Sequence, residues 1–173
     1  MPLHQNLSAL DPAPYWTHLH CELGWLRIAG DESGLTSIFF ADHDPGTTDN
    51  LPAHLPTAVT QIQEYLAGMR REFDLPLRPA GTDFQIRVWN ALHGIPYGAT
   101  CSYRDVAQAL RNEKAVRAVG AANGRNPLSI VVPCHRVIGA NGKLTGYGGK
   151  IWRKKWLLEH ERSIRYGAQT TLF

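Results

Sequence analysis

Ile130-Val131-Val132-Pro133-Cys134-His135-Arg136-Val137-Ile138 sets a short apolar run directly against a Cys-His pair. The three β-branched residues read as a buried segment. A Cys beside a His is a candidate activated nucleophile. A free thiol has a pKa of roughly 8.5, so at neutral pH it is mostly protonated and needs a base or a positive neighbour. Adjacent residues in a helix or strand do not face each other. His135 therefore serves Cys134 only if the backbone turns sharply or if a water bridges the two, which suits a general base acting at one remove. Glu161 is the candidate partner that fixes the His135 tautomer. Taken alone, such a pair is more often a buried structural Cys beside a surface His. Its surroundings raise it: Asn126-Pro127 stands before the Cys, and a glycine-rich loop with Gly139, Asn141-Gly142, Gly146 and Gly148-Gly149 follows it.

Working outward, the chain after that loop reads as a final helix over roughly Lys150 to Glu161. Trp152, Trp156 and Leu158 supply its apolar mass, and Lys150, Arg153, Lys154 and Lys155 its solvated or DNA-facing surface. Residues after Arg162 read as a loose tail. On the other side, Thr82 caps a helix whose apolar face is Phe84, Val88, Ala91 and Leu92. Ile95-Pro96-Tyr97-Gly98 turns the chain. Ser102 caps a short helix carrying Tyr103, Val106, Ala107 and Leu110. Arg111-Asn112 breaks it, and a further helix fits Glu113 to Asn123. Two short helices joined by a tight turn form a helix-turn-helix candidate. Lys114, Arg117 and Ala121 share one side of the second helix at three- and four-residue spacing. Ala118, Gly120, Ala121, Ala122 and Gly124 make that helix slim. A basic stripe beside small residues suits a nucleic-acid groove; the alternative is close helix packing inside the protein.

The first half has another character. Tyr15 to Cys21, Gly24 to Ile28 and Leu35 to Phe40 are β-type runs punctuated by Gly24, Gly30-Asp31 and Ser33-Gly34. Asp42 to Pro56 reads as a loop. A helix fits Leu55 to Met69, with Leu55, Val59, Ile62, Leu66 and Met69 on one face. Arg70 to Ala80 reads as a linker. The predicted fold is an α/β N-terminal domain, a small antiparallel sheet plus helix, over residues 1–79. A mainly α, winged-helix-like domain follows over residues 80–173. Charge divides at the same place: 4 Lys+Arg against 10 Asp+Glu in residues 1–79, net −6, and 14 against 5 in residues 80–173, net +9. Such asymmetry suggests a polyanion partner for the second unit, and nucleic acid fits because Lys and Arg near phosphates release counterions.

The 173-residue chain is 43% hydrophobic and 19% charged, the balance of a globular protein. It has no internal repeat and no apolar run of membrane-spanning length. Residues 1–6 lack the basic start and apolar stretch of a signal peptide. Cys21, Cys101 and Cys134 are odd in number and widely spaced, which argues against a disulfide framework and for a reduced, cytoplasmic protein. His18, His20 and Cys21 cluster, but they alternate on one strand with no second ligand pair at zinc-like spacing. No metal and no cofactor is expected.

Asn126-Pro127 with Ile130 to Ile138, Gly146-Tyr147-Gly148-Gly149 and Trp156-Leu157-Leu158-Glu159-His160-Glu161 resembles the signature of the O6-alkylguanine-DNA alkyltransferases. The likeness reaches back through Thr82-Asp83-Phe84-Gln85 and Ile95-Pro96-Tyr97-Gly98, so it covers residues 81 to 161. The resemblance implies direct, irreversible, stoichiometric transfer of an alkyl group from O6-alkylguanine, and from O4-alkylthymine, in duplex DNA to Cys134 after base flipping. It implies that His135 acts through water, that Glu161 holds His135, and that Asn126 is a polar hinge near the Cys. Tyr103 would touch the flipped base and its phosphate. Arg117 would fill the vacated stack. The Cys134 and Val137 carbonyls would meet the guanine amine, and Tyr147 and Gly148 would line the pocket near O6. The helix carrying Lys114, Arg117 and Ala121 would lie in the minor groove. The protein would bind as a monomer, with cooperativity on DNA left open. Some relatives carry Ser where this chain has Gly148, which implies a roomier pocket and tolerance of alkyl groups larger than methyl. Two rivals of other classes remain: a DNA-binding module without chemistry, against which the presence of Cys134 counts, and a Cys-His hydrolase.

Overall fold

A computed structural model describes residues 12–166. The N-terminal part is a three-stranded antiparallel sheet in the order β1 (Tyr15–Cys21), β2 (Gly24–Asp31), β3 (Gly34–Ala41). Gly24, at φ +98°, makes the first turn possible. Asp31 makes the second, because its Oδ1 accepts from Ser33 N at 2.8 Å and Gly34 N at 3.2 Å. Helix α1 (His54–Leu66) lays Leu55, Ala58, Ile62 and Tyr65 into the core beside Leu19, Leu26, Ile28 and Ile38. Pro56 sits in its first turn, where no intrahelical N–H is lost.

The edge of β3 is not free. Leu35 N donates to Pro76 O (2.8 Å) and Arg78 N to Leu35 O (2.7 Å). Ile38 N donates to Pro127 O (2.7 Å) and Ser129 N to Ile38 O (3.1 Å). The stretch that reads as a linker thus seals part of the edge. The segment leading to Cys134 is pinned to the rest of it.

The second half is mainly helical. Helix α2 (Asp83–Leu92) starts in a capping box between Thr82 and Gln85. Strand β4 (Cys101–Ser102) leads into α3 (Tyr103–Ala109), which starts in a second box between Ser102 and Asp105. Arg111 at φ +55° makes the turn to α4 (Val116–Gly124). Cys134–Arg136 forms a 3-10 turn, and β5 (Val137–Ile138) pairs in parallel with β4. Helix α5 (Ile151–Tyr166) closes the described chain. One apolar cluster runs through both halves, from Leu26 and Ile62 to Val88, Val119 and Leu157. No helix among the described residues is long and apolar enough to cross a membrane.

The architecture is the expected one, an antiparallel sheet with a helix and then a mainly helical part. Several local expectations are corrected. The first helix stops at Leu66 because Gly68 turns the chain at φ +77°, so Met69 leaves the apolar stripe and is 76% exposed. The helix expected from Glu113 begins as a 3-10 turn over Glu113–Ala115, so Lys114 precedes α4 rather than lying on it. The last helix buries Arg153 and Lys154, expected at the surface, and leaves Trp152 49% exposed. It also runs on to Tyr166, past the expected start of a tail, the rest of which lies outside the described residues.

Candidate active site

A 3-10 turn has about three residues per turn, so neighbouring side chains fan out roughly a third of a circle apart. In the turn Cys134–Arg136 the Cys134 and His135 side chains therefore leave in different directions. His135 is fully buried and places Nε2 2.7 Å from Glu161 Oε1. Its Nδ1 has no hydrogen-bond partner among the described residues. With Nε2–H donating to the carboxylate, Nδ1 is the bare acceptor of the ring.

Glu161, also fully buried, is a hub. Oε1 accepts from Tyr65 O–H (2.7 Å), His135 Nε2 and Arg136 Nη2 (2.9 Å), and Oε2 from Arg136 Nε (2.9 Å) and Gly98 N (3.0 Å). Burial alone would raise this carboxyl; hydrogen bonds and charge from His135 and Arg136 instead hold it well below the usual range. Arg136 spends its remaining arm on Ile95 O (2.7 Å). Burial pushes the His135 imidazole down; Glu161 pulls it back up, and the Arg136 and Lys154 charges add to the lowering.

The Cys134 thiol is buried, and burial pushes its pKa up; an Asn126 hydrogen bond and the Lys154 charge oppose that rise. Asn126 ties the segment together: Nδ2 donates to Val132 O (2.8 Å), and Oδ1 accepts from Leu128 N (3.0 Å). Lys154 reaches Val137 O at 2.5 Å and Thr145 O at 3.0 Å, and its ammonium stands 5.9 Å from the centre of the Tyr103 ring. Tyr103 O–H donates to Thr145 O at 3.1 Å. Tyr147 is buried and Gly148 exposed. A Cβ built on Gly148 would meet Gly124 O at 3.6 Å, an ordinary van der Waals contact.

Helix α4 flanks these residues. Gly120 faces the Tyr103 ring, where a Cβ would lie 3.8 Å from it, and Asn123 Nδ2 donates to Cys134 O at 3.3 Å. Lys114, Arg117 and Ala121 are exposed rather than part of the buried cluster. Of the carbonyls expected to meet a guanine amine, Cys134 O already accepts from Asn123 Nδ2 and from Val137 N, and Val137 O accepts from Lys154 Nζ. Away from the site, His18 and His20 pack against the Trp25 ring, and among the described residues no group of three or more His, Cys, Asp or Glu is placed to hold a metal ion.

Four contributors are not assigned to the site from sequence. Arg136 lies inside the quoted motif, and its place next to His135 was the available signal. Lys154 shares one helical stripe with Leu157 and Glu161, a spacing that marks it as inward-facing. Asn123 lies three residues before Asn126. Tyr65 has no local signal: it arrives from the other half of the chain, 96 residues from Glu161.

The two depressed pKa values fix an acid dependence. Unfolded His135 and Glu161 take up protons near 6.5 and 4.5, while both folded groups resist protonation to lower pH. The unfolded state then binds more protons, so stability is complete above about 6.5 and falls in two stages as pH drops. Urea midpoints measured down through this range are expected to decline first below about 6.5 and more steeply below about 4.5; a flat profile contradicts the assignment.

Fold and site together define a class: a small antiparallel sheet with a helix, followed by a mainly helical part that buries a cysteine next in sequence to a histidine held by a carboxylate. Residues 14–79 match the family model described as 6-O-methylguanine DNA methyltransferase, ribonuclease-like domain, and residues 83–163 match 6-O-methylguanine DNA methyltransferase, DNA binding domain. The chain belongs to the 6-O-methylguanine DNA methyltransferase family. A methylated-DNA–protein-cysteine methyltransferase from Mycobacterium tuberculosis (strain ATCC 25618 / H37Rv) is 51% identical over 155 residues, spanning 87% of this chain and 93% of the relative. The constitutive one of Bacillus subtilis (strain 168) is 48% identical over 157 residues, 86% and 95% of the two chains. The crystal structure of the Mycobacterium tuberculosis O6-methylguanine methyltransferase is similar with a TM-score of 0.78 at 48% identity, covering 86% of this chain and 93% of that one. That of Mycobacterium tuberculosis OGT in complex with DNA gives 0.77 at 46% identity with the same coverage.

Proposed function

We propose that this protein repairs DNA by moving an alkyl group from O6-alkylguanine, and from O4-alkylthymine, onto Cys134. One observation carries the reading: a buried thiol shares a 3-10 turn with a buried imidazole whose Nδ1 has no partner among the described residues and whose Nε2 is held by a carboxylate that takes five hydrogen bonds. The similarity to methylated-DNA–protein-cysteine methyltransferases supports it.

In this mechanism the thiol proton passes through a bridging water to His135 Nδ1, and Glu161 stabilises the imidazolium that forms. Lys154 and Asn126 favour the nascent thiolate. Sulfur then bonds to the alkyl carbon as the carbon–O6 bond breaks, and guanine leaves with the bonding pair. Tyr103 O–H, at the mouth of the pocket, meets the charge that builds on the base. The product is a thioether, which no neighbouring group hydrolyses, so each molecule acts once. The target atom lies inside the stacked duplex, so the base must be flipped out, at a cost of a few kcal/mol. Helix α4 enters the minor groove with its small residues, Arg117 fills the gap, Lys114 meets phosphate, and Tyr147, Gly148 and Val137 line the base pocket. The protein works as a monomer in the reducing cytoplasm.

Incubation with duplex DNA carrying O6-methylguanine, followed by weighing the protein, is expected to show a gain of one methyl group per molecule, mapped to the Cys134 peptide. DNA binding without mass gain favours the binding module, and multiple turnover favours the hydrolase. Because Gly148 brings no side chain to the site, alkyl groups larger than methyl are expected to transfer as well; complete refusal of them contradicts the roomier pocket.

A further inference from the structure

We propose that Tyr65, on α1 of the N-terminal half, is a positioning residue of the transfer reaction: its hydroxyl holds Glu161, and through it His135, in the state that accepts the thiol proton. The inference rests on the transfer reading above.

Tyr65 is fully buried and packs against Phe73 (centroids 5.5 Å apart), Tyr97 (6.0 Å) and His160 (5.5 Å). Phenylalanine would fill that space as well, so the hydroxyl is the chemically distinctive part. It donates to Glu161 Oε1 at 2.7 Å, the same oxygen that takes His135 Nε2. Burial first, then Glu161, raises the phenol well above its ordinary pKa, so it stays a donor throughout the working range. Arg136 already supplies the balancing charge. What Tyr65 adds is a neutral donor that draws negative charge away from Oε1 and occupies the lobe His135 leaves. The groups facing the Glu161–His135 pair are Tyr65 from α1, Tyr97 and the Gly98 N–H from the loop before β4, Arg136 from the 3-10 turn, and Lys154 from α5. His160 holds the Tyr65 backbone, with Nε2 2.9 Å from Tyr65 O. Without the Tyr65 hydroxyl, Oε1 pulls harder on the His135 proton, and the imidazole becomes more basic. His135 is then protonated at a higher pH and unable to serve as base there.

The test compares the full chain with Tyr65→Phe in single-turnover methyl transfer from duplex O6-methylguanine across the pH range where histidine titrates. The acid limb of the rate profile is expected to move up by about half a unit to one unit, and the rate below the limb to fall up to about tenfold. Thermal melts accompany the assay. A lower melting temperature with an unmoved limb makes Tyr65 merely structural and overturns the proposal. Should Tyr65→Phe fail to fold, a fluorinated tyrosine at position 65 keeps the ring and strengthens the donor. The limb is then expected to move down, and an unmoved limb again overturns the proposal. A wild-type protein that takes up no methyl group overturns the transfer reading and this proposal together; an active wild type with unmoved limbs in the variants overturns only the role of Tyr65.

Discussion

Glu161→Gln is expected to lower folding stability by about 3–5 kcal/mol, the usual cost of breaking a buried ion pair by removing one partner. Five donors converge on this carboxylate, and one of them is the Arg136 guanidinium. Glutamine keeps one oxygen and replaces the other with an NH2. Wherever the amide points, two donors face each other: against Arg136 Nε and Gly98 N in one orientation, against His135, Tyr65 and Arg136 Nη2 in the other. Arg136 stays charged and buried with no counter-ion, which is where most of the stability goes. Activity falls for a separate reason. The His135 imidazolium loses the charge that stabilises it, and Nε2–H loses the acceptor that keeps Nδ1 free. A drop of about 10²-fold or more in transfer rate is expected, the scale of a general-base contribution. Urea unfolding gives the first quantity and single-turnover transfer, at a temperature where the variant is folded, gives the second. A variant with the wild-type midpoint would dismantle the hub, and a stable one with the wild-type rate would detach His135 from the chemistry.

That hub marks the boundary of what residues alone disclose. Cys134, His135, Glu161 and Asn126 are legible because the motif concentrates them, and Thr82 and Ser102 because capping is local chemistry. The strands are legible because alternation and turn residues act within a few positions. Lys154 and Arg153 are not. A lysine on a helix reads as surface by default, and burial becomes possible only where carbonyls from elsewhere satisfy it. Val137 O and Thr145 O do so for Lys154, and Leu23 O and Gly149 O for Arg153. No short window of sequence contains all of these partners. The same holds for Tyr65, and for the hold of β3 on Pro127 and Ser129. Met69 departs for a local reason, a helix-ending Gly68 that outweighs apolar periodicity.

Arg117→Ala is expected to leave the fold and the thiol intact while cutting repair in duplex DNA about 100-fold, since about 1.4 kcal/mol accounts for each tenfold change and flipping costs a few kcal/mol. Arg117 is exposed on α4, and substitutions at such positions usually change stability by no more than about 0.5 kcal/mol. The buried chemistry lies below it: Tyr103 packs along the Gly120 side of α4, and Asn123 at the helix end holds Cys134 O. An arginine that fills the vacated stack acts only on the duplex equilibrium between stacked and flipped base. A free O6-alkylguanine base needs no flipping, so its reaction with Cys134 is expected to be unchanged. Lys114→Ala gives the contrast. Removing a phosphate-binding charge there weakens binding on damaged and undamaged duplex alike, and lowers the salt slope by about one. Rates on free base and on duplex, measured side by side for both variants, separate delivery from chemistry. Equal reductions on the two substrates for Arg117→Ala would put Arg117 in the chemical step, and an unchanged rate on duplex would remove it from base flipping.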